Sequence, residues 1–186
     1  ANKKEKFSIS GYKSSNKKLI LATIHRRENW GDKVTEICLA LKSLVERNKE
    51  CELLIPMHKN PKVRNKIKSI LENLERIYLT EPLGYHELVT IIKKCHFIMT
   101  DSGGIQEEAP SLGKPVLVLR DTTERQEAIE IGSAKLVGTK FTSIYKAAEE
   151  LLHNQSIYNL MSQPNNPFGD GLSSQRIYKA CKEFLI

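Results

Sequence analysis

Short apolar runs alternate with longer amphipathic stretches from residue 19 onward. Residues 19–24 are apolar at almost every position, the pattern of a strand buried on both faces. Residues 32–48 instead place Val34, Ile37, Leu41, Leu44 and Val45 at helical spacing, with Asp32 expected as the N-cap. The alternation continues, predicting strands at 52–56, 77–79, 96–100, 115–119 and 134–137. Helices are predicted at 61–73, 85–94, 103–112, near 124–131, and over 141–153, about 155–162 and 173–185. Pro61 suits the first position of its helix, where no N–H is needed. Residues 1–18 are polar and lysine-rich and are expected to form a flexible lead-in, leaving 19–186 as the folded domain.

Strands separated by helices over this length require crossovers, so the sheet is expected to be parallel and covered on both faces. Six such strands with right-handed connections predict a three-layer, Rossmann-like α/β domain. Sheets of this kind bind ligands at the carboxyl ends of their strands. The polar signatures of this chain fall there: His25 after the first strand, His58 after the second, Ser102 after the fourth, and residues 120–125 after the fifth.

The length of 186 residues suits one large domain or one half of a larger enzyme. Hydrophobic residues make up 40% and charged residues 27%, the balance of an ordinary globular domain. No apolar run is long enough to cross a membrane, so no membrane association is expected. Lys3, Lys4 and Lys6 are not followed by a signal core, and the chain opens on Ala1, as an excised fragment or a cloning scar would. Cys38, Cys51, Cys95 and Cys181 are far apart, with no Cys-x-x-Cys pair. They read as reduced, mostly packing thiols of a cytoplasmic protein, and no metal site is expected. The net charge of +7 comes from scattered basic residues without interleaved aromatics, which argues against a nucleic-acid platform.

The most informative stretch is 98–108, Ile-Met-Thr-Asp-Ser-Gly-Gly-Ile-Gln-Glu-Glu. A strand ends, a Ser-Gly-Gly turn follows, and a helix begins with Glu107 and Glu108 in its second turn. A helix N-terminus presents unpaired N–H groups and a partial positive charge to phosphate. Gly103 and Gly104 let the backbone approach without a Cβ in the way. A glutamate one turn in can accept hydrogen bonds from sugar hydroxyls, so the pattern points to a nucleotide carrying a sugar. It is neither a Walker A loop nor Gly-x-Gly-x-x-Gly, so a dinucleotide cofactor is disfavoured and no cofactor is expected.

Three further loops carry candidate chemistry. Residues 23–29, Thr-Ile-His-Arg-Arg-Glu-Asn, close the first strand, and His25 can carry a proton near neutral pH beside two arginines that suit an anionic diphosphate. The alternative is a surface pair between Arg27 and Glu28 with His25 as a loop residue. His58, in the proline-framed loop 56–61, either touches a ligand or bonds its own loop. In 120–125, Thr122 or Thr123 is expected to cap the next helix and Arg125 to reach the Ser102 rim.

Together, residues 23–29, 58–61, 100–119, 120–128 and 166–171 resemble one family closely, the non-hydrolysing UDP-N-acetylglucosamine 2-epimerases, over the C-terminal half of such proteins. The resemblance implies a glycosyltransferase-B-type fold, with two Rossmann-like domains and an active site in the cleft between them. It implies that Ser102, Gly103 and Gly104 hold the diphosphate, that Glu108 binds the ribose and that Arg125 contacts the nucleotide-sugar. It further implies that His25 assists departure of UDP, and that Arg26 and His58 help bind a second, activating UDP-N-acetylglucosamine. Some family members have a glutamine in place of Leu83 and a phenylalanine in place of Leu88, in the uracil pocket. The implied reaction interconverts UDP-N-acetylglucosamine and UDP-N-acetylmannosamine by elimination and re-addition of UDP. The family's catalytic carboxylates lie in the N-terminal half, so this chain is expected to be inactive alone. Family members are usually homodimers.

Three alternatives stay open at this point. One is the nucleotide-binding half of a glycosyltransferase of the same architecture. Another is a hydrolysing 2-epimerase, which releases UDP and free N-acetylmannosamine. The last is a stand-alone module that binds the nucleotide as a signal. The 23–29 and 120–125 blocks favour the epimerase, and Arg26 and His58 the non-hydrolysing kind.

Overall fold

The computed structural model describes residues 8–9, 11–13 and 15–185. A two-stranded antiparallel hairpin, β1 (Ser8–Ile9) and β2 (Tyr12–Lys13), precedes the six expected strands. These are β3 (Lys18–Thr23), β4 (Cys51–Pro56), β5 (Ile77–Thr80), β6 (Phe97–Thr100), β7 (Val116–Val118) and β8 (Ala134–Leu136). They pair in parallel in the order β5-β4-β3-β6-β7-β8. Successive strands run to one edge and then back across β3 to the other. The order therefore reverses between β3 and β6, where a crevice opens at the strand ends.

The period of two along each strand divides the core between the sheet faces. Ile20, Ala22, Leu53, Ile55, Phe97, Met99 and Leu117 join one buried cluster. That cluster also takes in α1 (Asp32–Arg47), α2 (Pro61–Leu71), α6 (Phe141–His153) and α7 (Gln155–Met161). The intervening Leu19, Leu21, Leu54, Ile98, Val116 and Val118 join the other. There they meet α3 (Tyr85–Lys94), α4 (Gly103–Ser111) and α5 (Gln126–Glu130). This is the expected three-layer α/β architecture. A last helix, α8 (Ser173–Phe184), buries none of its residues.

The structure corrects several local expectations. Part of the supposed lead-in is packed: Tyr12 is 4% exposed, its ring stands edge-on to Tyr78, and its hydroxyl donates to Glu52 at 2.7 Å. The rest of that expectation, over residues 1–7, 10 and 14, lies outside the described residues. Asp32 is not a cap. Gly31 is the N-cap of α1, at φ 91°, and Asp32 is the first helical residue. Neither threonine caps α5: Arg125 occupies that position, and Thr123 Oγ1, two residues earlier, accepts the Arg125 N–H at 3.1 Å. The helix predicted to Asn73 stops at Leu71, and Asn73 takes a positive φ of 61°.

Candidate functional site

The crevice is built from the ends of β3 and β6, whose Thr23 and Thr100 are register partners with hydroxyl oxygens 2.6 Å apart. Thr100 Oγ1 also accepts the Ser102 N–H at 2.9 Å, which sets the turn into α4. The first acceptor inside α4 is the Ser102 carbonyl, which takes Gln106 N–H at 3.3 Å. The N–H groups of Gly103, Gly104 and Ile105 thus precede any intrahelical acceptor, as at every helix start. The Ser102 hydroxyl makes no capping bond and lines the crevice instead.

Each glycine has its own reason. A Cβ on Gly104 would meet nothing within 4 Å, because the residue faces an open cleft. A Cβ on Gly103 would lie 3.4 Å from Arg26 Nη2 and 3.5 Å from Arg125 Nη2. Two guanidinium groups from separate loops therefore converge over the first turn of α4.

The cleft holds about 460 Å³. Its polar side is His25, His58, Ser102 and Glu108, and its apolar side includes Met57, Leu83, Leu88 and Ile105. One wall suits charged and hydroxylated groups and the other a flat apolar ring. The imidazoles of His25 and His58 lie nearly parallel with centroids 6.4 Å apart. His58 Nδ1 accepts the Asn60 N–H at 3.1 Å, so this residue bonds its own loop, and it also borders the cleft.

Around the rim, three arginines interleave with three glutamates. Arg120, nearly buried, donates to Glu28 at 2.7 Å and to Glu124 at 2.6 Å. Glu28 is thus paired across the crevice rather than with Arg27. Arg26 reaches Glu124 at 3.2 Å, and Arg125 reaches Glu107 at 2.6 Å and Glu124 at 3.3 Å. Glu124 sits at the centre; its own backbone N–H, then the Arg120 guanidinium, holds its carboxyl down at about 2. The Arg26 and Arg125 side chains remain 35% and 31% exposed, so either can turn from an exposed carboxylate to an arriving anion.

All eight expected site residues therefore gather at one end of the sheet. His25, His58, Ser102, Gly104 and Glu108 line the cleft, and Arg26 and Arg125 lie over Gly103 at its edge. Sequence reasoning missed the residues that hold this arrangement in place. Asp101, fully buried, accepts from His25 N–H, Arg26 N–H and Asn29 Nδ2. Gln106, also fully buried, accepts from the Thr123 hydroxyl at 2.7 Å and donates to the Ser102 carbonyl at 3.1 Å, tying the loop after β7 to the start of α4. For Gln106 the available signal was a polar residue at an otherwise apolar helix position, which marks a buried partner.

The family model for UDP-N-acetylglucosamine 2-epimerase matches residues 1–182. A curated relative, a probable UDP-N-acetylglucosamine 2-epimerase of Ralstonia nicotianae, is 46% identical over 178 residues, 96% of this chain and 48% of its own length. A crystal structure of UDP-GlcNAc 2-epimerase from Neisseria meningitidis bound to UDP-GlcNAc superposes with a TM-score of 0.87 at 43% identity, over 90% of this chain and 45% of that one. The S. aureus MnaA–UDP co-structure superposes with a TM-score of 0.88 at 46% identity, over 96% of this chain and 50% of that one. The C-terminal domain of a group 1 glycosyl transferase from Francisella tularensis shares the fold alone, at 11% identity and a TM-score of 0.60 over 80% of this chain and 81% of that one. The chain spans about half the length of the curated relatives it matches. On the match across nearly all of its residues, the chain belongs to the UDP-N-acetylglucosamine 2-epimerase family.

Proposed function

We propose that this chain is the UDP-holding half of a UDP-N-acetylglucosamine 2-epimerase of the non-hydrolysing type. The observation that carries the reading is the cleft itself, where the amides at a glycine-led helix start, the Glu108 carboxylate and an apolar wall face one volume. The diphosphate sits on the N–H groups of Gly103, Gly104 and Ile105 and on the Ser102 hydroxyl. Arg125 turns from Glu107 to the nucleotide-sugar, Glu108 accepts from the ribose hydroxyls, and Leu83 and Leu88 flank the uracil. Arg26 and His58 border the same space from the β3 and β4 loops and serve the second, activating nucleotide-sugar.

In the reaction a base removes the proton on C2 of the sugar, the C1–C2 double bond forms, and the C1–O bond breaks with its electrons leaving on UDP. UDP then re-adds to C1 while C2 takes back a proton on the face opposite the one it lost it from, and C2 is thereby inverted. The chain supplies stabilisation of the departing diphosphate, by fixed donors aimed at the developing charge. His25 stands beside that group and donates its proton. The base belongs to the part of the relatives that this chain does not span. The compartment is the cytoplasm, in keeping with Cys38, Cys51, Cys95 and Cys181, all unpaired thiols.

The test is a calorimetric titration of the chain with UDP, beside Glu108→Ala. Saturable binding is expected, weakened in the variant by roughly 1.5–3 kcal/mol, the scale for hydrogen bonds to a charged group. Equal affinity of the two proteins would remove Glu108 from the ribose role.

A further inference from the structure

Asp101 follows β6 directly, with a fully buried carboxylate. Its two oxygens lie 3.1 Å each from the His25 N–H, while Oδ2 also accepts from Arg26 N–H at 2.9 Å and from Asn29 Nδ2 at 3.0 Å. Asn29 is itself fixed, because the same Nδ2 donates to the Leu119 carbonyl at 3.0 Å. Every partner is an N–H donor, a set that matches the acceptor oxygens of a carboxylate. The loop leaving β3 is therefore wrapped around one anion at the head of α4. The fifth contact differs in kind: His25 Nδ1 lies 3.6 Å from Asp101 Oδ1, beyond hydrogen-bond length and within ion-pair reach. Loop-holding alone uses the backbone N–H groups and Asn29, and has no need of the ring.

We propose that Asp101 is a positioning residue that fixes the orientation and tautomer of His25, with Nδ1–H turned to its carboxylate and Nε2 left to the cleft. The inference rests on the reading of His25 as the group beside the departing diphosphate. With Nδ1–H held, Nε2 is the atom that moves a proton. As the C1–O bond breaks, the imidazolium gives the Nε2 proton to the departing phosphate oxygen. The ring is left neutral as the Nδ1–H tautomer, ready to take the proton back on re-addition. The other titratable groups facing this ring are few. His58 lies across it at 6.4 Å with Nδ1 already accepting from Asn60, Lys59 and Glu108 line the same cleft, and Arg26 follows His25 in the chain with its guanidinium paired to Glu124.

The test is a long-range ¹H–¹⁵N correlation spectrum of the 186-residue chain, labelled in histidine, at alkaline pH where imidazoles are neutral. Spectra are taken without UDP and with saturating UDP, and the His25 signals are assigned by their loss in His25→Gln. The Nδ1–H tautomer at His25 is expected in both states of the wild type, with a change to Nε2–H or a mixture in Asp101→Asn. An Nε2–H tautomer at His25 in a wild-type protein that binds UDP overturns the role of Asp101 and leaves the nucleotide reading standing. Absence of UDP binding in the same sample overturns the nucleotide reading, and with it the catalytic purpose assigned here. The wild-type spectrum decides the matter even if Asp101→Asn fails to fold.

Discussion

One methyl group at position 104 separates what this helix start does for the fold from what it does for a ligand. Gly104 has no atom within 4 Å of a would-be Cβ, so Gly104→Ala strains nothing in the empty protein. Alanine restricts the unfolded chain and favours helix, which is worth about 0.5–1 kcal/mol. In the proposed seating of the diphosphate, the same methyl projects into the space through which the phosphate reaches the amides. Thermal melts of Gly104→Ala should therefore show an unchanged or raised Tm, while its Kd for UDP rises by roughly tenfold or more, the equivalent of one lost charge-assisted hydrogen bond. The Ser-Gly-Gly turn and its glutamates were legible because their meaning is local: strand, turn and helix follow within a dozen residues. Asp101 stands in the same stretch and was not legible. Its partners are His25, Arg26 and Asn29, more than 70 positions earlier, and only the pairing of β3 with β6 brings them together. The division of labour between Glu107 and Glu108 was hidden likewise, since it depends on Arg125 arriving from the loop after β7 to occupy Glu107.

Among the elements, the strands were the clearest part of the sequence. Buried parallel strands are apolar on both faces, and each is followed by an amphipathic helix that cannot be mistaken for one. The hairpin β1–β2 was invisible, because strands of two residues carry no period. Its anchoring rests on a long-range bond from Tyr12 to the buried Glu52. The opposite end of β6 from the site holds a titratable device of its own. His96 stacks on Tyr158 of α7 with centroids 4.2 Å apart, and Nε2 is buried without a partner. Burial, and then the nearby Lys18 and Lys114 ammonium groups, push its pKa down to about 4. An unfolded histidine titrates near 6.5, so between these values the unfolded chain binds more protons and stability falls as pH falls. Denaturant melts should show a loss of about 2 kcal/mol from this group between pH ~6.5 and ~4.5. The His96→Phe variant, which keeps the stack, should flatten that part of the profile. An identical slope in the variant would place the acid sensitivity elsewhere.

At the scale of the whole molecule, binding and chemistry are expected to part company. The sheet, the crevice at its reversal point and the glycine-led helix start proposed to hold the diphosphate are all contained in these residues, while the chain covers only about half of its relatives' length. The chain is accordingly expected to bind UDP and to turn over no UDP-N-acetylglucosamine, as read by the formation of UDP-N-acetylmannosamine. Turnover by these 186 residues alone would contradict the assignment of the base to the part not spanned.

The most direct test of the central claim, a diphosphate seated at the start of α4, is an amide ¹H–¹⁵N titration of the chain with UDP. Saturable shifts are expected at Gly103, Gly104 and Ile105 and at His25, with the far end of the sheet around His96 and Tyr158 unmoved. Saturation that leaves the Gly103–Gly104 amides in place, with the shifts gathered elsewhere, would contradict it.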